Sequence, residues 1–198
     1  MRVAGLLLAA GASRRMGRNK ALVELGGEPL VRRAARAGLG AGLAPLLVVL
    51  GHEPEPIREA LAGLAFLEVP NPRHALGMST SLDAGAAAVP AEADAALVLL
   101  ADMPLVDAVL VAAVIARAES TAAPLVTARY GGVTAPPTLY ARALFPELRG
   151  GEGEGRGREV VRRHAGEAAY VERPAEALAD VDREEDLERV RALLAGPQ

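Results

Sequence analysis

Val3-Ala4-Gly5-Leu6-Leu7-Leu8-Ala9-Ala10-Gly11-Ala12-Ser13-Arg14-Arg15-Met16-Gly17-Arg18-Asn19-Lys20 is the stretch that decides how this chain is read. Its apolar run, 3–10, has the composition of a strand buried on both faces, which is the habit of parallel sheets covered by helices. The run breaks into a Gly-rich segment carrying three arginines and one lysine. A buried strand therefore aims a cationic loop at an anion.

The lysine is informative because of the rest of the chain. Of 22 basic residues, Lys20 alone is lysine. A sequence that writes arginine almost everywhere has kept one compact, flexible ammonium, which suits a point contact with phosphate. Small polar residues are as sparse: the serines are Ser13, Ser79, Ser81 and Ser120, and the asparagines Asn19 and Asn71. All but Ser120 fall in the first loop or in the stretch 71–85, which predicts one site assembled from two loops.

Composition bounds the rest. With 198 residues and 51% hydrophobic content, the chain can bury one sizeable core, and one domain over 1–198 is expected. No apolar stretch reaches the ~18 residues of a membrane span, and the start runs into a strand without a cleavage-site pattern, so a cytoplasmic protein is expected. Having no cysteine excludes disulfides and thiolate chemistry, and leaves carboxylate or imidazole for any metal. A net charge of −3 with 3% aromatic residues lacks the basic surplus and stacking platforms of nucleic-acid binders. The expected partner is a small anionic substrate, with no nucleic acid and no membrane.

Helices and strands then alternate along the chain. A Gly26-Gly27 turn precedes a helix over 29–37, a buried strand covers 45–51 with His52 at its end, and a short helix (56–62) and a strand (66–69) come next. Asn71-Pro72-Arg73-His74 through Ser79-Thr80-Ser81-Leu82-Asp83 leads into a helix to about residue 89. Ser79 is its expected N-cap, leaving amides and hydroxyls at the helix's positive end. The strand at 95–101 delivers Asp102-Met103-Pro104, where a carboxylate can hold the Mg²⁺ that accompanies a nucleoside triphosphate. Asp107 caps a helix to about 118, and a strand covers 124–130. The run 148–158 reads as a charged Gly-rich loop, either lid or solvated connection. A helix near 159–164, a strand over 168–171 and a last helix capped by Asp182 close the chain. The pattern predicts an α/β fold: three α/β/α layers around a mostly parallel, Rossmann-like sheet, with the site at the strand C-terminal ends.

Gly11 and Gly17 are spaced for neither a nucleoside triphosphatase loop nor a dinucleotide fingerprint. What remains, Leu8-Ala9-Ala10-Gly11-x-Ser13-x-Arg15-Met16-Gly17-x-x-Lys20, resembles the signature of MobA-like nucleotidyltransferases with a glycosyltransferase-A-like, nucleotide-diphospho-sugar transferase fold. Its form is most similar to the molybdenum cofactor cytidylyltransferases. The Asn71 to Gly85 stretch, Leu99-Leu100-Ala101-Asp102-Met103-Pro104 and the ending around Asp180-Val181-Asp182 resemble three further segments of that family. The resemblance implies transfer of CMP from CTP to a phosphorylated acceptor of the molybdopterin type, with pyrophosphate released and Mg²⁺ required. Arg15 and Lys20 would neutralise phosphates. Leu8, Ala9, Ala10, Gly11, Ser13, Gly17, Asn71 and Ser81 would bind the nucleotide, and Asp102 with Asp182 the metal. A molybdoenzyme or chaperone is the protein partner such a resemblance would imply. Rival readings are a guanylyltransferase on the same cofactor, a sugar-phosphate nucleotidyltransferase, and a nucleotide-binding regulatory subunit without turnover. Ala135-Pro136-Pro137 stands where the family has Gly-His-Pro, which leaves the acceptor open.

Overall fold

The computed structural model describes residues 1–11, 19–181 and 183–195. A seven-stranded sheet carries the fold. Its strands are β1 (Val3–Leu8), β4 (Leu46–Leu50), β5 (Leu67–Pro70), β6 (Ala95–Leu100), β7 (Leu125–Tyr130), β8 (Val133–Ala141) and β9 (Ala169–Arg173), ordered β5-β4-β1-β6-β8-β7-β9. Only β8 runs against its neighbours. A two-stranded hairpin, β2 (Glu24–Leu25) and β3 (Glu28–Pro29), turns through Gly26 and Gly27, whose φ of 65° and 78° suit glycine at both turn positions.

Period-two alternation sorts the central strands into two cores. Leu7, Leu46, Val48, Leu50, Leu97 and Leu99 meet Val31, Leu110 and Val111, from α1 (Leu30–Gly40) and α4 (Ala108–Glu119). Leu6, Leu8, Leu47, Val49 and Val98 meet Leu82, Phe145 and Val160, from α3 (Met78–Ala88), α5 (Phe145–Leu148) and α6 (Arg156–Arg163). A helix α2 (Pro54–Ala60) joins the first layer beside α1. A third, smaller core forms where the hairpin meets the chain's end: Val23, Leu25 and Leu30 pack with Ala179, Val181, Leu187 and Val190, the last two on α7 (Glu184–Ala195). This is the expected α/β architecture, a mostly parallel sheet between helical layers.

Two expectations need correction, and two further sequence features find their local setting. Ser79 is not the N-cap of α3; Gly77 is, at φ 105°, and Ser79 lies in the first turn. The helix α6 starts at Arg156, three residues before the expected start, because Gly155 and Gly157 disguise it as loop. The Pro136-Pro137 pair lies inside β8. The ladder with β7 shifts register between Thr127 and Ala128, so that Thr127 faces Thr138 and Ala128 faces Ala135, and the two prolines fall in a bulge where their missing N–H is tolerated. Gly11 has no positive φ, and a Cβ there would meet nothing within 4 Å among the described residues, so backbone conformation is not what calls for glycine.

Candidate functional site

β1 and β6 are parallel neighbours, with Leu8 opposite Leu100, so the segments that leave the two strands emerge on one edge of the sheet. After β6 the chain turns at Asp102. Two bonds hold this turn: Arg33 Nε of α1 donates to the Pro104 carbonyl at 2.9 Å, and Val181 N–H donates to the Asp102 carbonyl at 2.9 Å. Lys20 begins a short 3₁₀ turn, Lys20–Leu22, whose preceding Asn19 accepts the Ala21 N–H at 3.1 Å. The Lys20 ammonium pairs with the Asp102 carboxylate. Both side chains keep a path to solvent, at 26% and 16% exposure, as a site for an incoming ligand requires.

The third core explains why these groups meet. Val23 comes just after the Lys20 turn and Val181 is bonded to Asp102, and both are buried in the same cluster. The beginning, middle and end of the chain are thus clamped around one ammonium and one carboxylate. Asp182 itself, like Ser13, Arg15 and Gly17, lies outside the described residues. Asp180 is exposed. Among the described residues no three metal-ligating side chains converge. Asp102 nevertheless has the right chemistry for Mg²⁺, a hard carboxylate oxygen on the open sheet edge, because that ion is ordinarily held by one or two carboxylates and by substrate phosphates.

The second polar stretch packs more tightly than its composition suggests. Asn71 is 3% exposed, and its amide donates to Thr80 Oγ1 at 2.9 Å and Ser81 Oγ at 3.0 Å while its carbonyl accepts the Arg73 N–H at 3.0 Å. It braces the first turn of α3 and thereby positions Ser81, itself buried. Leu8, Ala9 and Ala10 are buried as well, and the Ala10 carbonyl accepts the His52 N–H at 3.3 Å. His52 and His74 stand beside this edge with ring centres 6.0 Å apart. The structure therefore gathers Ala10, Gly11, Lys20 and Asp102 at the strand ends, with Asn71 bonded to Ser81 at the start of α3.

Residues that sequence reasoning passed over belong to the Gly-rich loop. Ser79 N–H donates to the Gly153 carbonyl at 2.9 Å, Gly153 N–H to the Leu76 carbonyl at 2.7 Å, and Met78 N–H to Glu154 Oε2 at 3.3 Å. The amides at the start of α3, read as open to a ligand, are taken by the chain's own loop. Asp83 anchors the loop's start, accepting Gly150 N–H at 3.0 Å and pairing with Arg73. The Gly150 N–H, and then the Arg73 guanidinium, hold the Asp83 carboxyl below the usual carboxylate range against an opposing effect of burial. No helix of the described residues is long and apolar enough to cross a membrane.

Comparison with known proteins fits this geometry. Over 149 residues the chain is 31% identical to the bifunctional protein GlmU of Pelobacter propionicus, covering 73% of this chain and 32% of that one. Over 106 residues it is 38% identical to a probable molybdenum cofactor guanylyltransferase of Synechococcus elongatus, covering 52% of each. The chain thus spans about a third to a half of the curated relatives it matches. Among solved structures, Rv0371c of Mycobacterium tuberculosis superposes with a TM-score of 0.84 at 24% identity, over 96% of this chain and 98% of that one. Its manganese complex gives 0.79 at 22%, over 96% and 98%. The CMP:2-keto-3-deoxy-manno-octonic acid synthetase complexed with CTP gives 0.72 at 19%, over 98% and 99%. These three share the fold. The model of one family matches residues 5–169, most of the sheet and the whole Lys20–Asp102 edge, and by that match this chain belongs to the MobA-like NTP transferase domain family.

Proposed function

We propose that the protein transfers CMP from CTP to a small phosphorylated acceptor of the molybdopterin type. An acceptor phosphate oxygen attacks the α-phosphorus in line, the bond between the α-phosphorus and its bridging oxygen to the β-phosphorus breaks, and pyrophosphate leaves. The observation that carries this reading is the Lys20–Asp102 pair on the shared edge of β1 and β6. Nothing in such a reaction requires a protein nucleophile. The chain's task is positioning and charge neutralisation, which suits a site without cysteine.

Asp102, with Asp182 as second carboxylate, would hold a Mg²⁺. Bound there, the ion would supply positive charge to offset what develops on the phosphates. Manganese in the complex of Rv0371c is consistent with a divalent-cation requirement. Lys20, paired with Asp102 in this structure, would with Arg15 offer its charge to the triphosphate. Ala9, Ala10 and Gly11 lie along the nucleotide, with Leu8 beneath, Ser13 and Gly17 in the phosphate loop, and Asn71 holding Ser81 beside the base.

A second reading uses GTP instead, and the guanylyltransferase of Synechococcus elongatus supports it. Ala10 supports CTP, because Leu8-Ala9-Ala10-Gly11 resembles the cytidylyl form of the signature, where guanylyl relatives tend to show Leu-Ala-Gly-Gly. The experiment that tests both readings is a pyrophosphate-release screen of CTP, GTP, UTP and ATP with Mg²⁺ against molybdopterin and a panel of sugar phosphates. Release with CTP and molybdopterin is expected; release with GTP and molybdopterin establishes the second reading. Turnover only with sugar phosphates overturns the acceptor assignment.

A further inference from the structure

A cleft of about 390 Å³ opens between the first turn of α3 and α6. Three arginines, Arg156, Arg158 and Arg162, line it together with Glu152, Glu159 and Ser79. Glu159 is drawn away, its Oε1 lying 3.1 Å from Arg163 Nη2. Arg163 also pairs with Glu147 of α5, so these carboxylates serve the arginine outside the cleft. Among the described residues no carboxylate comes within ion-pair distance of Arg156, Arg158 or Arg162. Arg158 and Arg162 stand four residues apart on one helix, a spacing that is unfavourable for like charges unless something anionic lies between them.

Ser79 adds a second, independent sign. It is 2% exposed, and its Oγ accepts the Arg156 N–H at 3.3 Å, but its own proton has no acceptor among the described residues. A buried hydroxyl at the wall of a cleft ordinarily finds an acceptor. The walls are also fixed in advance: the Gly153 bonds to Leu76 and Ser79, and the Gly150 bond to Asp83, hold loop and helix together. Forked guanidinium donors, an unused hydroxyl proton and a preformed cleft match a tetrahedral oxyanion with several acceptor oxygens.

We propose that this cleft is a phosphate-binding site, distinct from the Lys20–Asp102 pair, that takes a phosphate group of a phosphorylated small molecule. Resting on the nucleotidyl-transfer reading, its occupant in turnover is an anionic group of the acceptor. Because Thr80 and Ser81 come directly after Ser79 on α3, such a site lies next to the segment assigned to the nucleotide.

The test uses the full chain and inorganic phosphate as probe, with affinity measured by calorimetry and the amides of 150–163 followed by NMR. Arg158 and Arg162 are exposed, so Arg158→Gln, Arg162→Gln and the double variant should fold normally. The expected result is that the double variant binds phosphate about tenfold or more weakly, while Lys20→Ala leaves phosphate affinity unchanged and CTP does not displace the phosphate. Phosphate affinity that survives the double variant but falls in Lys20→Ala overturns the proposal, as does displacement by CTP or the absence of binding to the wild type. Adding pyrophosphate separates the sources: displacement by pyrophosphate without displacement by CTP marks a product site and contradicts the acceptor assignment. Phosphate held by the cleft arginines in a protein that releases no pyrophosphate from any nucleotide leaves the cleft site standing and removes the transfer reading instead.

Discussion

At the β1–β6 edge one ammonium meets one carboxylate on segments fixed by apolar side chains, Val23, Leu30 and Val181 among them. At the α3–α6 corner three arginines surround a cleft whose two helices share the second core through Leu82 and Val160, while its Gly-rich loop is tied on by hydrogen bonds of Gly150 and Gly153. Apolar clamping resists displacement, since any shift exposes buried surface, and so keeps reacting groups within the narrow tolerance that transfer chemistry needs. The hydrogen-bonded glycine loop lies on the surface, held in place by the helix it docks on, which suits a preformed surface that receives a substrate. The two corners should therefore respond differently: the first through turnover, the second through affinity and local stability.

The largest expected effect breaks the first corner. Asp102→Asn should abolish Mg²⁺-dependent pyrophosphate release, whereas Asp180→Asn, on an exposed side chain two residues before Asp182, should change it little. If Asp180 proves the severe site, the metal ligand at the chain's end has to be reassigned.

Next in size is a break in the second corner. Gly77 combines φ 105° with a position where an added Cβ would lie 2.5 Å from the Gly153 carbonyl oxygen. Gly77→Ala should lower stability by about 1–3 kcal/mol through strain alone, with more from the clash. For a chain of this size a melting shift of roughly 2–4 °C per kcal/mol is expected. A variant that melts with the wild type and keeps its Ser79 amide protected would show that the loop does not dock on α3 through Gly153.

How legible these corners were differs for physical reasons. β1, β4 and β6 announce themselves because strands buried on both faces must be continuously apolar, and the residue after such a run, Asp102, inherits a predictable place. Lys20 was legible through its isolation in an arginine chain. That Lys20 pairs with Asp102 across 82 positions was not, nor was the third core that brings Val181 to them, because neither arises from local pattern. The docking of Gly153 on Ser79 is equally non-local, and it displaced the N-cap reading: with Gly77 turned to positive φ, a loop carbonyl takes the amide that a Ser79 cap would have ignored. In β8, Pro136 and Pro137 fit through a register shift against β7, a pairing detail that local pattern does not carry.

A smaller effect sharpens the second corner by pH. Because its folded-state value is depressed, Asp83 stabilises the loop above the ordinary aspartate pKa of about 3.9, and that contribution disappears as pH falls through the lower folded value. The Gly150 amide, followed by NMR during acid titration, should lose protection below about pH 4 in the wild type. Asp83→Asn should remove the step. A step of equal size in that variant would place the titrating group elsewhere.

Smallest of all is the base. The Ala10 methyl points into the same core as Leu6 and Leu8 and is 3% exposed, so it can shape a nucleotide pocket only through the backbone. Ala10→Gly should shift the ratio of kcat/KM for CTP over GTP toward GTP by no more than about tenfold, near the range of a single methylene. A larger swing would mean that the methyl faces the base directly.

The most direct measurement sets one corner against the other: kcat/KM for pyrophosphate release in Lys20→Ala beside Asp83→Asn, at neutral pH, with both variants checked for the wild-type fold. Losing a preorganised charge contact to a transferring phosphoryl group should lower the first by ~10²-fold or more. Losing a loop tether should lower the second only about threefold or less, since surface interactions are weak. The opposite ranking, with Lys20→Ala near normal and Asp83→Asn crippled, would contradict the assignment of the chemistry to the β1–β6 edge.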